Sequence, residues 1–161
     1  MCIVGEIAFG KIKESDITII KQMADAIKHR GPDSDGYCYD ENIAFGHRRL
    51  SILDISSNAN QPMISNDGNL VIVFNGEIYN FQEIRKKLES KYKFKTDHSD
   101  TETILYAYKE WGIECIHKFN GFFAFAIYDR LKQEVFLVRD RLGKKPLYFI
   151  QKENNILFSS E

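Results

Sequence analysis

Two places in this chain hold residues whose types and spacing could do chemistry. The first is its start, where Cys2 follows Met1, so removal of Met1 would put a thiol and a free α-amine on one residue. A thiol titrates at about 8.5 and an α-amine at about 8. The amine could therefore take or relay the thiol proton near neutral pH, bringing nucleophile and base together. A cysteine standing alone is more often a small buried hydrophobe, and the nucleophile reading needs partners. The second place is Leu70-Val-Ile-Val-Phe-Asn-Gly-Glu-Ile-Tyr-Asn80, whose apolar, largely β-branched opening suits a strand buried on both faces. Asn75-Gly76 breaks this run where a side-chain amide and an unobstructed backbone N–H could face a ligand. Asn-Gly is also the strongest two-residue hairpin signal. The segment from Asn80 onward reads as a helix, because Asn80 can cap it, Glu83 stands three positions on, and Phe81, Ile84 and Leu88 keep helical spacing. The local residues leave both strand–site–helix and a plain turn open.

The remaining elements must position these groups. A chain of 161 residues is about one domain and can bury a substantial core. With 43% hydrophobic and 13% aromatic residues it is globular in composition. Its 22 basic and 23 acidic residues leave a net charge of -1, which gives no support for a nucleic-acid or membrane-surface partner. Cys2, Cys38 and Cys115 form an odd, widely spaced set with no Cys-x-x-Cys pair, arguing against a disulfide framework and a zinc site. A reducing, cytoplasmic setting fits that usage. No apolar run approaches the roughly 18 residues of a membrane span, and no basic segment precedes a long apolar one as in an export signal.

Cys2 to Phe9 reads as a buried strand with Gly5 marking a close approach or bulge, and it places Cys2 at the strand tip. Ser15 or Asp16 can cap a helix with Ile17, Ile20, Met23, Ala24 and Ile27 on one face, stopped by Gly31-Pro32. Asp33 to Gly36 reads as a turn, Tyr37–Tyr39 and Ile43–Gly46 as short strands, and Asp54 to Pro62 as a loop. Asn66-Asp-Gly68 is a hairpin turn feeding the central strand. Tyr92–Thr96 alternates like a half-exposed strand. Ser99 opens a helix through Ile104, Leu105, Tyr108 and Trp111, which Gly112 ends. Strands over 122–128, 135–138, 147–150 and 156–158 close the chain. Strands first and last with helices between them predict an α+β arrangement of two packed sheets covered by helices.

On Met1-Cys2, His29-Arg-Gly-Pro-Asp33, Gly46-His-Arg-Arg-Leu-Ser51, Phe74-Asn-Gly-Glu-Ile-Tyr-Asn80, Ser99-Asp-Thr-Glu102, Gly121-Phe-Phe-Ala-Phe125 and Arg139-Asp-Arg-Leu-Gly143, the whole chain resembles the N-terminal glutaminase domain of asparagine synthetases, a class II glutamine amidotransferase. The resemblance implies one domain over residues 1–161 with the four-layer αββα sandwich of N-terminal-nucleophile hydrolases. It also implies that Cys2 attacks the side-chain amide of L-glutamine to give a thioester, with Asn75 and Gly76 holding the oxyanion and ammonia leaving. Arg49 then takes the substrate carboxylate, Glu77 and Asp100 its ammonium, and the backbone around Leu50 and Ile52 the rest. Without the resemblance, Arg49 is a solvated charge, Glu77 a first-turn acid and Asp100 a helix cap. His29, His47, His98 and His117 share no metal-site spacing and read as structural or exposed.

The glutaminase reaction implied here uses no cofactor. ATP and Mg²⁺ are expected only in a C-terminal synthetase domain, the implied partner, whose Ser-Gly-Gly-x-Asp-Ser motif does not occur in this chain. The expectation is therefore a fragment of a longer protein, with homodimerisation left open. The family's usual start is Cys-Gly-Ile-Val-Gly, whereas this chain has Cys2-Ile-Val-Gly5, one residue short. Because side chains alternate faces, such a gap either turns the strand over or is absorbed before Ala8 by loss of a bulge. Absorption, leaving Cys2 in place, is the expectation; a glutamine-binding module with impaired hydrolysis is the alternative.

Overall fold

The computed structural model describes residues 1–50, 60–152 and 154–161. Its strands are β1 (Cys2–Ala8), β2 (Ser34–Tyr39), β3 (Ile43–Arg49), β4 (Met63–Ile64), β5 (Leu70–Ile78), β6 (Gly121–Asp129), β7 (Glu134–Arg139), β8 (Tyr148–Lys152) and β9 (Asn155–Ser159). The helices are α1 (Glu14–Ala26), α2 (Phe81–Leu88) and α3 (Asp100–Trp111), with 3₁₀ turns at Lys28–Arg30 and Gly112–Lys118. Two antiparallel sheets form, ordered β2-β3-β1-β9-β8 and β4-β5-β6-β7.

Alternation along each strand sorts side chains into three apolar layers. Ile3, Ile43, Phe45 and Phe158 of the first sheet meet Val71, Val73, Ala124, Ala126 and Tyr128 of the second. On the first sheet's other face Cys2, Val4 and Ala44 pack with Ile20, Ala24 and Ile27, the stripe predicted for α1. Ile72, Phe74, Phe123 and Phe125 turn the other way, onto α2 and α3. The expected α+β order of helix, sheet, sheet, helix is therefore present. Gly5 does mark a close approach, since a Cβ there would lie 2.2 Å from the Phe158 ring.

Four local expectations change. The central strand does not stop at Asn75-Gly76, because β5 pairs with β6 residue for residue through Ile78↔Gly121. A Cβ on Gly76, with φ +157°, would lie 2.3 Å from the Phe122 carbonyl oxygen, so glycine serves here for close strand contact, not for a turn. Residues 34–36 extend β2 instead of forming a turn, and Gly36 lets the Gln61 carbonyl approach within 2.1 Å of where a Cβ would stand. The α1 helix begins earlier than Ser15, with Asp16 reaching back to accept the Lys13 N–H at 2.8 Å. Tyr92–Thr96 joins no sheet. Its Lys95 and Thr96 N–H groups donate to the Glu102 carboxylate, and Tyr92 and Phe94 pack on Tyr106, so α3 takes the place of a strand partner. No described helix is long and apolar enough to cross a membrane.

Candidate active site

The site lies at one end of the sandwich, where β1 begins and β3 and β5 end. In the β1–β3 ladder Cys2 stands opposite Arg48 and Ile3 opposite His47. Ile3 belongs to the layer between the sheets. By alternation His47 and Arg49 of β3 share that face, and so does Asn75, two residues beyond Val73 on the facing strand. The arrangement thus brings Arg49, His47, Asn75 and, at the mouth, exposed Glu77 to one side of the first sheet.

Asn75 is 2% exposed, and its Nδ2 is buried with no hydrogen-bond partner among the described residues. An unsatisfied buried N–H₂ is costly, and it is the state expected of a donor reserved for an incoming anion. Asp100 caps the mouth from the start of α3, accepting the Ile78 N–H at 3.1 Å. Burial pushes its carboxyl up to about 6, against the lowering effect of backbone N–H donors, and the neighbouring Glu77 charge adds to the rise. Two acidic groups at one rim suit a single ammonium. Arg49 is buried, its Nη1 donates to Asn60, and its carbonyl accepts the Asp33 N–H at 3.1 Å. Leu50 is partly exposed beside it. Ile52 lies outside the described residues.

Cys2 is not on this face. Its side chain is fully buried against Ile20, Ala24 and Ile27 of the α1 layer, the side on which Arg48 donates to the Ala24 carbonyl and to Asp25. The β1 ladder has no bulge from Cys2↔Arg48 to Ile7↔Ile43, and its phase is fixed by reciprocal bonds of Ile3 with Ser160. The Ile3 N–H donates to the Ser160 hydroxyl at 3.1 Å, and the Ser160 N–H to the Ile3 carbonyl at 3.0 Å. The missing residue is therefore not absorbed in the way expected from sequence: bulge-free pairing turns the Cys2 thiol away from Asn75. The α-amine of Met1 is partly buried, which lowers its pKa, with Arg30, Lys145 and Asp33 around it.

Sequence reasoning missed two residues of the wall. β4 pairs with β5 only at Val71 and Ile72, leaving the edge of β5 open beyond. Gln61 covers it, accepting the Phe74 N–H at 2.6 Å and donating to Thr101 at 3.3 Å. His47 is 1% exposed, donates a ring N–H to the Phe74 carbonyl, and is held neutral because burial lowers its pKa to about 3. The signal available for His47 was its placement two residues before Arg49, hence on the same strand face.

A model of the glutamine amidotransferase domain matches residues 1–161. Asparagine synthetase [glutamine-hydrolyzing] 2 of Bacillus subtilis is 44% identical over 155 residues, 96% of this chain and 20% of that protein. A putative asparagine synthetase [glutamine-hydrolyzing] 2 of Methanocaldococcus jannaschii is 42% identical over 182 residues, 100% of this chain and 34% of that protein. The chain thus spans about a fifth to a third of these relatives. The solved structure of glutamine phosphoribosylpyrophosphate amidotransferase from B. subtilis with ADP and GMP shares its fold, with a TM-score of 0.81 at 18% identity over 100% of this chain and 42% of that one. Together with the two packed sheets and their helix layers, these matches establish that the chain belongs to the glutamine amidotransferase domain family.

Proposed function

We propose that this domain hydrolyses the side-chain amide of L-glutamine through a Cys2 thioester and supplies the ammonia to an ATP-dependent, asparagine-synthetase-like domain elsewhere in its full-length protein. The observation that carries the reading is the buried Nδ2 of Asn75, which has no hydrogen-bond partner among the described residues and which strand alternation puts on the same inter-sheet face as Arg49. In this mechanism Met1 is removed and the freed α-amine of Cys2 accepts the thiol proton. The thiolate attacks the amide carbon, and the oxyanion takes hydrogen bonds from Asn75 Nδ2 and the Gly76 N–H. Collapse breaks the C–N bond, and the proton held on the amine leaves with ammonia. Water then cleaves the thioester to glutamate. The balance, glutamine plus water to glutamate plus ammonia, calls for no cofactor. All three cysteines are free, as a reducing, cytoplasmic setting keeps them.

The thiol must first reach the Asn75 face. With Met1 gone, rotation about the Cα–C bond of Cys2 can carry the side chain off the α1 face to the place the amine held, and the amine to the place of the Cα hydrogen, while Ile3 stays bonded to Ser160. The test is glutamate release from glutamine by protein whose intact mass shows Met1 removed. Cys2-dependent turnover supports the proposal, and its absence in processed, folded, full-length protein overturns it.

One observation favours a second reading, a glutamine-binding domain that hydrolyses slowly: the thiol is buried in the α1 layer. Inserting a glycine between Cys2 and Ile3 shifts the thiol by one position and reverses its face. The expected outcome is a kcat higher by about tenfold or more with KM for glutamine unchanged. An unaltered kcat would show that turning Cys2 is not limiting.

Asp100 gives a prediction on binding. The carboxylate holds the substrate ammonium only when ionised, so KM should rise as pH falls through about 6, by about tenfold per unit. Asp100→Asn should raise KM about tenfold or more, the cost of one charged hydrogen bond, with kcat nearly unchanged. The variant should also lose the acid rise in KM. Because the folded value lies above the ordinary carboxylate value, burying this charge costs stability at neutral pH. That cost fades as pH falls through about 6 and is gone below about 4.

A further inference from the structure

Past the two residues that β4 pairs, Val71 and Ile72, the edge of β5 is covered by no strand among the described residues. Gln61, 4% exposed, reaches this edge and accepts the Phe74 N–H at 2.6 Å. Asp100 accepts the Ile78 N–H at 3.1 Å. Successive N–H groups of a strand point to opposite sides, so the Gly76 N–H between these two faces the same edge. The strand β6 does not take it up: Phe123 stands opposite Gly76 but donates its N–H to Asp140 and accepts the Asp140 N–H, past the end of β7. The edge thus carries a tied amide, an untied one and a tied one, and the untied one is Gly76.

The two ties share an anchor. The Gln61 Nε2 donates to the Thr101 hydroxyl at 3.3 Å, and Thr101 follows Asp100 in the first turn of α3. Phe74 and Ile78 are therefore held to the same helix end, and a side-chain amide suits the bridge because it accepts with one atom and donates with the other. We propose that Gln61 is a positioning residue: it replaces a ladder partner at Phe74 and, with Asp100, fixes the 74–78 edge so that the Gly76 N–H stays open beside the Asn75 amide. The proposal rests on Gly76 being a donor to the amide oxygen of glutamine. A continuing strand would hold this edge equally well but would bond the Gly76 N–H, whereas a side chain ties one residue and leaves the next outward donor open. Placement matters most when the oxygen is charged, since a charge-assisted hydrogen bond is about twice as strong as a neutral one.

L-Glutamate brings a carboxylate oxygen to the place of the amide oxygen without any chemistry, so its binding reads the donor whether or not glutamine turns over. Calorimetry on full-length Cys2→Ala protein compares its Kd with that of L-glutamine, beside kinetics on full-length, Met1-processed protein that keeps the cysteine. In Gln61→Leu the Kd for L-glutamate should rise about tenfold, the cost of one displaced charge-assisted hydrogen bond, while that for L-glutamine stays within about threefold. The kcat should fall about 10- to 100-fold, somewhat less than for a donor removed outright, with KM little changed. Thr101→Val frees only the helix end of the bridge and should move the glutamate-to-glutamine ratio the same way by about threefold. The double variant should be no worse than Gln61→Leu alone, because both act through one bridge. Equal losses for the two amino acids, or none, in folded Gln61→Leu overturn the proposal, since a merely structural role predicts those results. Should Gln61→Leu fail to fold, the same ratio in Thr101→Val decides, and an unchanged ratio overturns it. Wild type that binds both amino acids without hydrolysing glutamine defeats the glutaminase reading and still leaves the ratio to judge Gln61; wild type that binds neither overturns both.

Discussion

Replacing Cys2 with alanine in Met1-processed protein should abolish glutamate release, a loss on the order of 10⁴-fold or more in kcat, while glutamine still binds. The size follows from what the thiol supplies. Without it there is no covalent intermediate, and what survives is a pocket that can orient the amide and polarise its carbonyl. Cys2→Ala is also mild structurally, since the thiol is a small part of the α1 layer with Ile20, Ala24 and Ile27. Removing it leaves a cavity of about one atom, and stability should fall by roughly 1 kcal/mol. Calorimetry with glutamine and a thermal melt therefore accompany the rate measurement. Binding retained with turnover lost assigns chemistry to the thiol. Turnover retained would remove Cys2 from the mechanism altogether.

Asn75→Ala should lower kcat by about 10²- to 10³-fold and leave KM within a few-fold, as expected when a donor acts on charge that exists only in the transition state. The side chain pairs with no described group at Nδ2, so its loss breaks no bond there and relieves a buried unsatisfied donor. The variant should fold as well as wild type or better. That combination of higher or equal stability and much lower kcat separates a functional donor from a structural one. A large fall in stability with a proportionate fall in both parameters would instead make Asn75 part of the scaffold.

The fold was legible where side-chain periodicity and backbone pairing agree. The Leu70 run, the Ile20–Ala24–Ile27 stripe and the closing strands follow from apolar spacing that has one sheltered solution. Tyr92–Thr96 alternates just as convincingly, but whether an alternating segment becomes a strand depends on a neighbour offering a ladder. Here the neighbour is the Glu102 carboxylate. The identities of Arg49, Asn75, Glu77 and Asp100 could be read from motifs, and β3, β5 and α3 do bring them to one end of the sandwich. The facing of Cys2 could not. It depends on the phase of β1, which is set by Ser160 at the far end of the chain, and a one-residue gap says only that something must shift.

The edge of β5 beyond β4 has a dynamic consequence. At Phe74 neither polar group belongs to a ladder: Gln61 holds the N–H and His47 holds the carbonyl. Ladder bonds open together when two strands part, whereas these two open independently, one when residue 61 swings out and the other when the sheets separate. Hydrogen exchange at the Phe74 amide thus times the departure of Gln61 from the open edge of β5 without any opening of the sandwich, one strand position from Asn75.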